Sequence, residues 1–244
     1  MLAVHPQDES IILLGMERGR VHRTEDTGST WRPVVDAGSG PVTVLSFDCR
    51  RPRWVFLGRR GPGGGLWRST DAGQTWRQVL SGPVERLAYH PRDAETLYVA
   101  GPYRVSRSRD GGRTWAHLEL RGVRALATSV SEPEAIYLTI GDRLLYLESW
   151  QSRAETSLLP GTVDFLEAHP LQATLIYAAT NHPTAGIWRS ADRGETWVLY
   201  SEGLGSPVIS SMSLDAEGGA LYVATSTLGL WRFSPTGPEG GAPP

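Results

Sequence analysis

Two carboxylates, Glu85 and Asp164, each stand one residue into an apolar run, Val84 to His90 and Val163 to His169. A pair of carboxyl groups flanking a glycosidic bond can hydrolyse it. One protonates the leaving oxygen, and the other attacks the sugar or activates water. A separation of roughly 5–5.5 Å gives retention and roughly 6.5–9.5 Å gives inversion. Arginines accompany the pair. Arg59 and Arg60, with Arg18 and Arg143, offer planar guanidinium forks that match a carboxylate or another anion. Arg124 and His182 complete the polar set. The same residues equally suit a plainer role, with Glu85, Arg124 and Asp164 as solvated ion pairs and the other arginines on solvated loops. The scaffold that carries them decides what they can do together.

That scaffold is repetitive. Ser69 to Trp76 reads S-x-D-x-G-x-T-W, and Ser108 to Trp115 and Ser190 to Trp197 read the same. Thr24 to Trp31 is a fourth copy with Thr in the first place. Asp26 lies 45 residues before Asp71, Asp71 lies 39 before Asp110, and Asp110 lies 82 before Asp192. The last gap holds about two units, so a decayed copy is expected at Trp150 to Ser157, where Ser152, Ala154 and Ser157 replace Asp, Gly and Trp. One more step reaches Pro235, just after Gly229-Leu230-Trp231-Arg232, which matches Gly65-Leu66-Trp67-Arg68. Six units of about 40 residues have the period of propeller blades.

The octapeptide has a mechanical explanation. A short carboxylate accepts hydrogen bonds from the N–H groups of its own turn, and Ser or Thr does likewise. Gly two residues on supplies a positive φ without steric cost. The Trp is then expected to open the next strand and bury roughly 200 Å². Asp26, Gly28 and Trp31, Asp71, Gly73 and Trp76, Asp110, Gly112 and Trp115, and Asp192, Gly194 and Trp197 are therefore structural residues of a hairpin turn.

Each unit reads as four strands, A to D, with no helical period anywhere. Strand A runs into a turn, three times through His-Pro, at His5, His90 and His169. Three histidines at one repeat position read as a turn and packing element, so no metal or cofactor is expected. Strand C ends at the octapeptide and strand D follows it. The expected fold class is all-β, a six-bladed β-propeller of four-stranded antiparallel blades in one domain, 1–235. Its blades fall at about 1–38, 39–80, 81–120, 121–160, 161–205 and 206–235. The last lacks a clear strand D, so it has three strands, or the start lies upstream, or another chain covers the gap; the first is favoured. Residues 236–244, rich in Gly and Pro, are expected to be disordered.

An antiparallel blade puts the A–B and C–D turns at one end and the B–C loops and D-to-A crossings at the other. The octapeptides and His-Pro turns thus share a repeated face. Variation gathers on the opposite face, where binding sites are usually built. The B–C loops bring Glu17, Arg18, Arg59, Arg60, Tyr103, Asp142, Arg143, Asn181 and His182 there. Glu85, Arg124 and Asp164 start A strands and would ring the mouth of a central channel, as ion pairs around water or as a polar ligand site.

Composition narrows the partners. Formal charge is −2, so no global field points to nucleic acid or a membrane surface. All 24 basic residues are arginine, a bias that a GC-rich genome or ion pairing at high temperature can produce. Cys49 is the only cysteine, which excludes an intrachain disulfide. The N-terminus lacks a charged region followed by an apolar one, and no run has the length of a membrane span. The sequence as written is expected in the cytoplasm, with export possible if the true start is missing.

The octapeptides resemble the Asp boxes of BNR-repeat propellers, and the likeness covers nearly the whole chain. That group includes sialidases, xyloglucan hydrolases, sortilin-type receptors and photosystem II assembly factors. The resemblance implies a six-bladed ring like that of sialidases, with the boxes away from any active site. Sialidases use an arginine triad, a Tyr–Glu nucleophile pair and an Asp acid. Here no Arg-Ile-Pro motif near the N-terminus anchors such a set, and the loops are short for an enclosed sugar site. Two functions are expected from this. The first is a non-catalytic binding or assembly scaffold whose loop face takes a protein, peptide or polar ligand. The alternative is a sialidase-like or xyloglucanase-like glycoside hydrolase with Glu85 and Asp164 as its carboxylates, which extends the possible partners to a glycan.

Overall fold

A computed structural model describes residues 1–35, 40–61, 63–150, 152, 154–182, 184–201, 208–215 and 218–234, with the side chains of Ala154 and Glu155 outside that set. The expected tail at 236–244 lies outside the described residues. The strands gather into two compact units, Met1–Arg121 and Gly122–Pro244. Each holds three antiparallel sheets, and the fold is an all-β, six-bladed β-propeller.

Blade 1 comprises β1 (Leu2–His5), β2 (Asp8–Gly15), β3 (Val21–Thr24) and β4 (Arg32–Val35). Blade 2 comprises β5 (Val42–Asp48), β6 (Arg51–Arg59), β7 (Gly65–Ser69) and β8 (Arg77–Ser81). Blade 3 comprises β9 (Arg86–Tyr89), β10 (Leu97–Ala100), β11 (Arg104–Ser108) and β12 (Ala116–Glu119). In the second unit, blade 4 is β13 (Val123–Thr128), β14 (Ile136–Ile140), β15 (Arg143–Leu147) and β16 (Ala154–Leu158). Blade 5 is β17 (Thr162–Ala168), β18 (Ile176–His182), β19 (Gly186–Ser190) and β20 (Val198–Leu199). Blade 6 has three strands, β21 (Ile209–Leu214), β22 (Leu221–Thr225) and β23 (Gly229–Phe233). Within each sheet, strands adjacent in sequence pair with each other.

The period-two alternation of the strands explains the core. In blade 2, Val44, Phe56 and Leu66 point forward onto Val84, Leu97 and Val99 of blade 3. Leu45, Phe47, Val55 and Leu57 point back onto Ala3, Leu13 and Val21 of blade 1. The second unit repeats this, with Tyr137 and Leu144 against Val163 and Ile176, and Tyr177 and Ile187 against Ile209 and Val223. Burial of these side chains from both faces stabilises the stack by roughly 1.5–3 kcal/mol each.

Four octapeptides form one turn. In blade 2, Ser69 Oγ donates to Asp71 Oδ1 at 2.7 Å and accepts from Gly73 N at 2.8 Å. Asp71 Oδ1 also accepts from Thr75 N at 2.9 Å, and Oδ2 from Thr75 Oγ1 at 2.5 Å. Gly73 has φ +85°, and a Cβ there would lie 2.9 Å from Leu13 Cδ1 of blade 1, so only glycine fits. The Trp does not open strand D as expected. β4, β8, β12 and β20 each begin one residue later. In blades 1 and 2 the indole is instead tied to the turn, Trp31 Nε1 donating to Gly28 O at 3.0 Å and Trp76 Nε1 to Gly73 O at 3.1 Å, while Trp115 Nε1 donates to Val79 O of blade 2 at 2.8 Å.

The decayed copy sits elsewhere than the spacing suggests. Leu147 pairs with Ile136 as Ser69 pairs with Val55 and Ser190 with Ile176, so Leu147 holds the first octapeptide position. Ser149 then stands where Asp stands elsewhere, and Ser152 Oγ accepts from its N–H at 3.2 Å. Tyr146 pairs with Ala154 where Arg68 pairs with Arg77, which makes this turn one residue shorter.

Candidate functional site

The repeated face is occupied with holding itself together. Hydrogen bonds from Thr24 and Thr30 hold the Asp26 carboxyl at about 2, and those from Thr196 and Ser190 do so for Asp192. Burial pushes Asp71 and Asp110 upward, but Thr75 with Ser69, and Thr114 with Ser108, outweigh it and leave both at about 2. The His-Pro histidines also serve the backbone. His90 Nδ1 accepts from Arg92 N at 3.2 Å and Asp93 N at 2.9 Å. His169 Nδ1 accepts from Leu171 N and Gln172 N, both at 3.1 Å. His5 Nδ1 accepts from Gln7 N at 3.2 Å. Among the described residues no three His, Cys, Asp or Glu side chains gather where a metal ion would be held.

On the loop face of the first unit, Glu85 lies just before β9 and not inside it. Its N–H donates to Ala100 O at 2.8 Å, and its carboxylate faces Arg60 Nη1 at 3.8 Å. Arg59 departs from expectation. It is only 4% exposed and lies with its guanidinium 3.8 Å from the Trp67 ring centroid, so it is a packed side chain and not a loop decoration. Burial holds its guanidinium below the ordinary value. Arg18 is exposed in the turn between β2 and β3.

The same face holds a pocket of about 280 Å³ in blade 3, lined by Gly82, Pro83, Gly101, Pro102, Tyr103, Arg104 and Glu119. Tyr103 is 61% exposed at its rim, with the Arg121 guanidinium 5.9 Å from its ring centroid. Arg104 Nη2 donates to Ser81 O at 2.9 Å, which braces the wall. Sequence reasoning named Tyr103 but missed the pocket. The signal was there: Gly82-Pro83 at the crossing into blade 3 and Gly101-Pro102 in its B–C loop are two rigid turns in one blade.

In the second unit the A-strand starts are laced together. Arg124 Nε donates to Asp164 Oδ1 at 3.0 Å, and Nη2 reaches the same oxygen. Asn181 Nδ2 donates to Asp164 Oδ2 and to Ile209 O, each at 3.0 Å, while Asn181 Oδ1 accepts from Ile209 N at 2.7 Å. Blades 4, 5 and 6 are thus joined through one carboxylate and one amide. Arg143 begins β15, and His182 ends β18; both are exposed. Glu85 and Asp164, the pair suited to hydrolysis, belong to different units, and each is engaged by partners of its own unit.

Among the described residues no helix is long and apolar enough to cross a membrane. No protein-family model matches the chain. A vacuolar protein sorting/targeting protein 10 from Mycosarcoma maydis is 36% identical over 75 residues, which are 30% of this chain and 5% of that protein. The xyloglucanase Xgh74A of Acetivibrio thermocellus is 40% identical over 73 residues, 27% of this chain and 9% of that enzyme. The chain therefore spans a small part of the curated relatives it matches. Among solved structures, the GH74 xyloglucanase from Xanthomonas campestris superposes with a TM-score of 0.74 at 20% identity, over 95% of this chain and 44% of that one. YCF48 bound to D1 peptide superposes with a TM-score of 0.69 at 17% identity, over 96% of this chain and 76% of that one. At these identities the superpositions speak for the propeller fold.

Proposed function

We propose that this protein is a non-catalytic binding scaffold that takes a peptide segment of a partner protein on its loop face. The octapeptides are then Asp boxes in the BNR-repeat sense, a reading supported by four turns with one bonding scheme. The observation that carries the function is the blade 3 pocket. Two prolines and an exposed tyrosine give it an apolar wall, and Arg104 and Glu119 give it a charged rim. A tyrosine ring offers contact area at low conformational cost, and such residues anchor interfaces. The structural likeness to YCF48, solved with a D1 peptide, supports the same reading. A peptide-display library probed with the full chain tests it. Enriched peptides should bind with saturation, and Tyr103→Ala should weaken them by about tenfold or more at unchanged Tm. Peptides that bind the variant equally well would place recognition elsewhere.

One observation favours a glycoside hydrolase instead: the 40% identity to xyloglucanase Xgh74A over 73 residues. Release of reducing sugar from xyloglucan, abolished by Glu85→Gln or Asp164→Asn, would establish that activity and displace the scaffold reading.

A further inference from the structure

The octapeptide end of the first unit holds a cluster of charge that neither the turn nor the loop face uses. In blades 1 and 2 the residue before the octapeptide and the residue after it are both arginine. Arg23 faces Arg32 across β3 and β4, and Arg68 faces Arg77 across β7 and β8. Like charges placed directly opposite destabilise a sheet. Blade 1 supplies the remedy from within. Glu25, the second residue of its octapeptide, pairs with Arg23 Nη1 and accepts from Arg32 Nη2 at 3.1 Å.

Blade 2 has no such residue, because its second octapeptide position is Thr70. Blade 3 instead adds a third cation. Arg68, Arg77, Gln78, Val79, Gly112 and Arg113 line a pocket of about 330 Å³. Arg68 is fixed in place: its Nη1 donates to Gly111 O at 2.5 Å, and its guanidinium lies 4.5 Å from the Trp54 ring centroid. Arg77 and Arg113 are exposed, and their guanidinium groups reach no acceptor among the described residues. Among the carboxylates of this end, Glu95 is engaged by Arg51 at 2.7 Å, and Asp71 and Asp110 are engaged within their own turns. Burial, then the charges of Arg113, Arg51 and Arg77, hold the Arg68 guanidinium below its ordinary value.

We propose that this pocket is an anion site that takes a carboxylate from outside the chain, which would serve Arg68 and Arg77 as Glu25 serves Arg23 and Arg32 in blade 1. Three guanidinium groups around one polar cavity suit a carboxylate on an acidic peptide segment or on a free polycarboxylic acid. The site lies on the face opposite the Tyr103 pocket and stands or falls independently of it.

Calorimetric titration of the full chain tests it, at constant ionic strength with chloride as background. The probes are citrate, an acetylated and amidated tri-glutamate peptide, and the tri-glutamine peptide of the same length. Saturable binding of citrate or of the glutamate peptide, without binding of the glutamine peptide, is expected; which of the two binds identifies the source. Arg77→Ala and Arg113→Ala, both exposed changes, should each weaken binding by about tenfold. Thr70→Glu should abolish it and raise Tm, since by repeat position it sets an internal carboxylate beside Arg68 and Arg77 as Glu25 stands beside Arg23 and Arg32. Response to the carboxylate probes no greater than to chloride would overturn the proposal. So would binding that survives Thr70→Glu or the double arginine variant.

Discussion

Asp164 and Glu167 stand three residues apart on β17 and show how neighbours set the behaviour of a carboxylate. Asp164 accepts from Arg124 and Asn181. Glu167 lies opposite Tyr177 in β18. Burial there pushes its carboxyl up to about 7 from an ordinary 4.5. A carboxyl raised on folding favours the native state most below its unfolded value and loses that contribution as pH climbs through the folded one. Stability should therefore decline between about pH 4.5 and pH 7 and level off above that interval. Thermal unfolding of the wild type and of Glu167→Gln at pH 5 and pH 8 checks this. The variant should be nearly insensitive to that interval and more stable than the wild type at pH 8. A flat wild-type profile would mean that water reaches Glu167.

The octapeptide turn predicts the opposite limb. Asp26, Asp71, Asp110 and Asp192 sit at about 2 in the fold against an ordinary 3.8. Depressed carboxyls stabilise fully above the unfolded value and lose the effect as pH falls through the folded one. Stability should thus begin to fall below about pH 4 and go on falling as pH passes through about 2. Asp110→Asn removes one acceptor oxygen from Thr114 and should cost about 1–2 kcal/mol at neutral pH. It should also shallow the acid limb, as chemical denaturation at a series of pH values would record. This turn was legible in the sequence because the bonds among its Ser or Thr, Asp, Gly and Thr residues close within eight residues. Blade 4 was not, since its turn keeps none of the identifying residues and only strand pairing places Leu147 against Ile136. Arg59 was misread for a related reason. Trp67 is its diagonal neighbour across β6 and β7, on the same face, and such a contact is set by register and not by spacing along the chain. The Tyr103 pocket was marked only by the turns Gly82-Pro83 and Gly101-Pro102, and their meeting on one face depends on the strand pairing of blade 3.

At the scale of the molecule, each unit fastens its blades in its own way. In the first, the arginine before the octapeptide of blades 1 and 2 donates to the fourth residue of the next: Arg23 Nε to Ala72 O at 2.9 Å, and Arg68 Nη1 to Gly111 O at 2.5 Å. In the second, Tyr146 occupies that arginine's place. Arg193, the fourth residue of the blade 5 octapeptide, reaches back to pair with Glu132 of blade 4, and Arg193 is 47% exposed. A guanidinium bound to a carbonyl is little affected by screening, while a half-exposed ion pair weakens within a few hundred millimolar salt. The octapeptide contacts of the first unit should therefore hold whatever the salt, while the Arg193–Glu132 contact between blades 4 and 5 should loosen as it rises, leaving Ser157 on Gly194 O as the salt-insensitive tie there. Amide hydrogen exchange resolved by blade, in low and high sodium chloride, would show protection in β13 to β16 falling away from that in β17 to β19 while β1 to β12 hold theirs. Uniform loss across all blades would mean that the apolar interfaces alone couple the repeats, and that one exchanged side chain, Tyr for Arg, has left the order in which the protein comes apart unchanged.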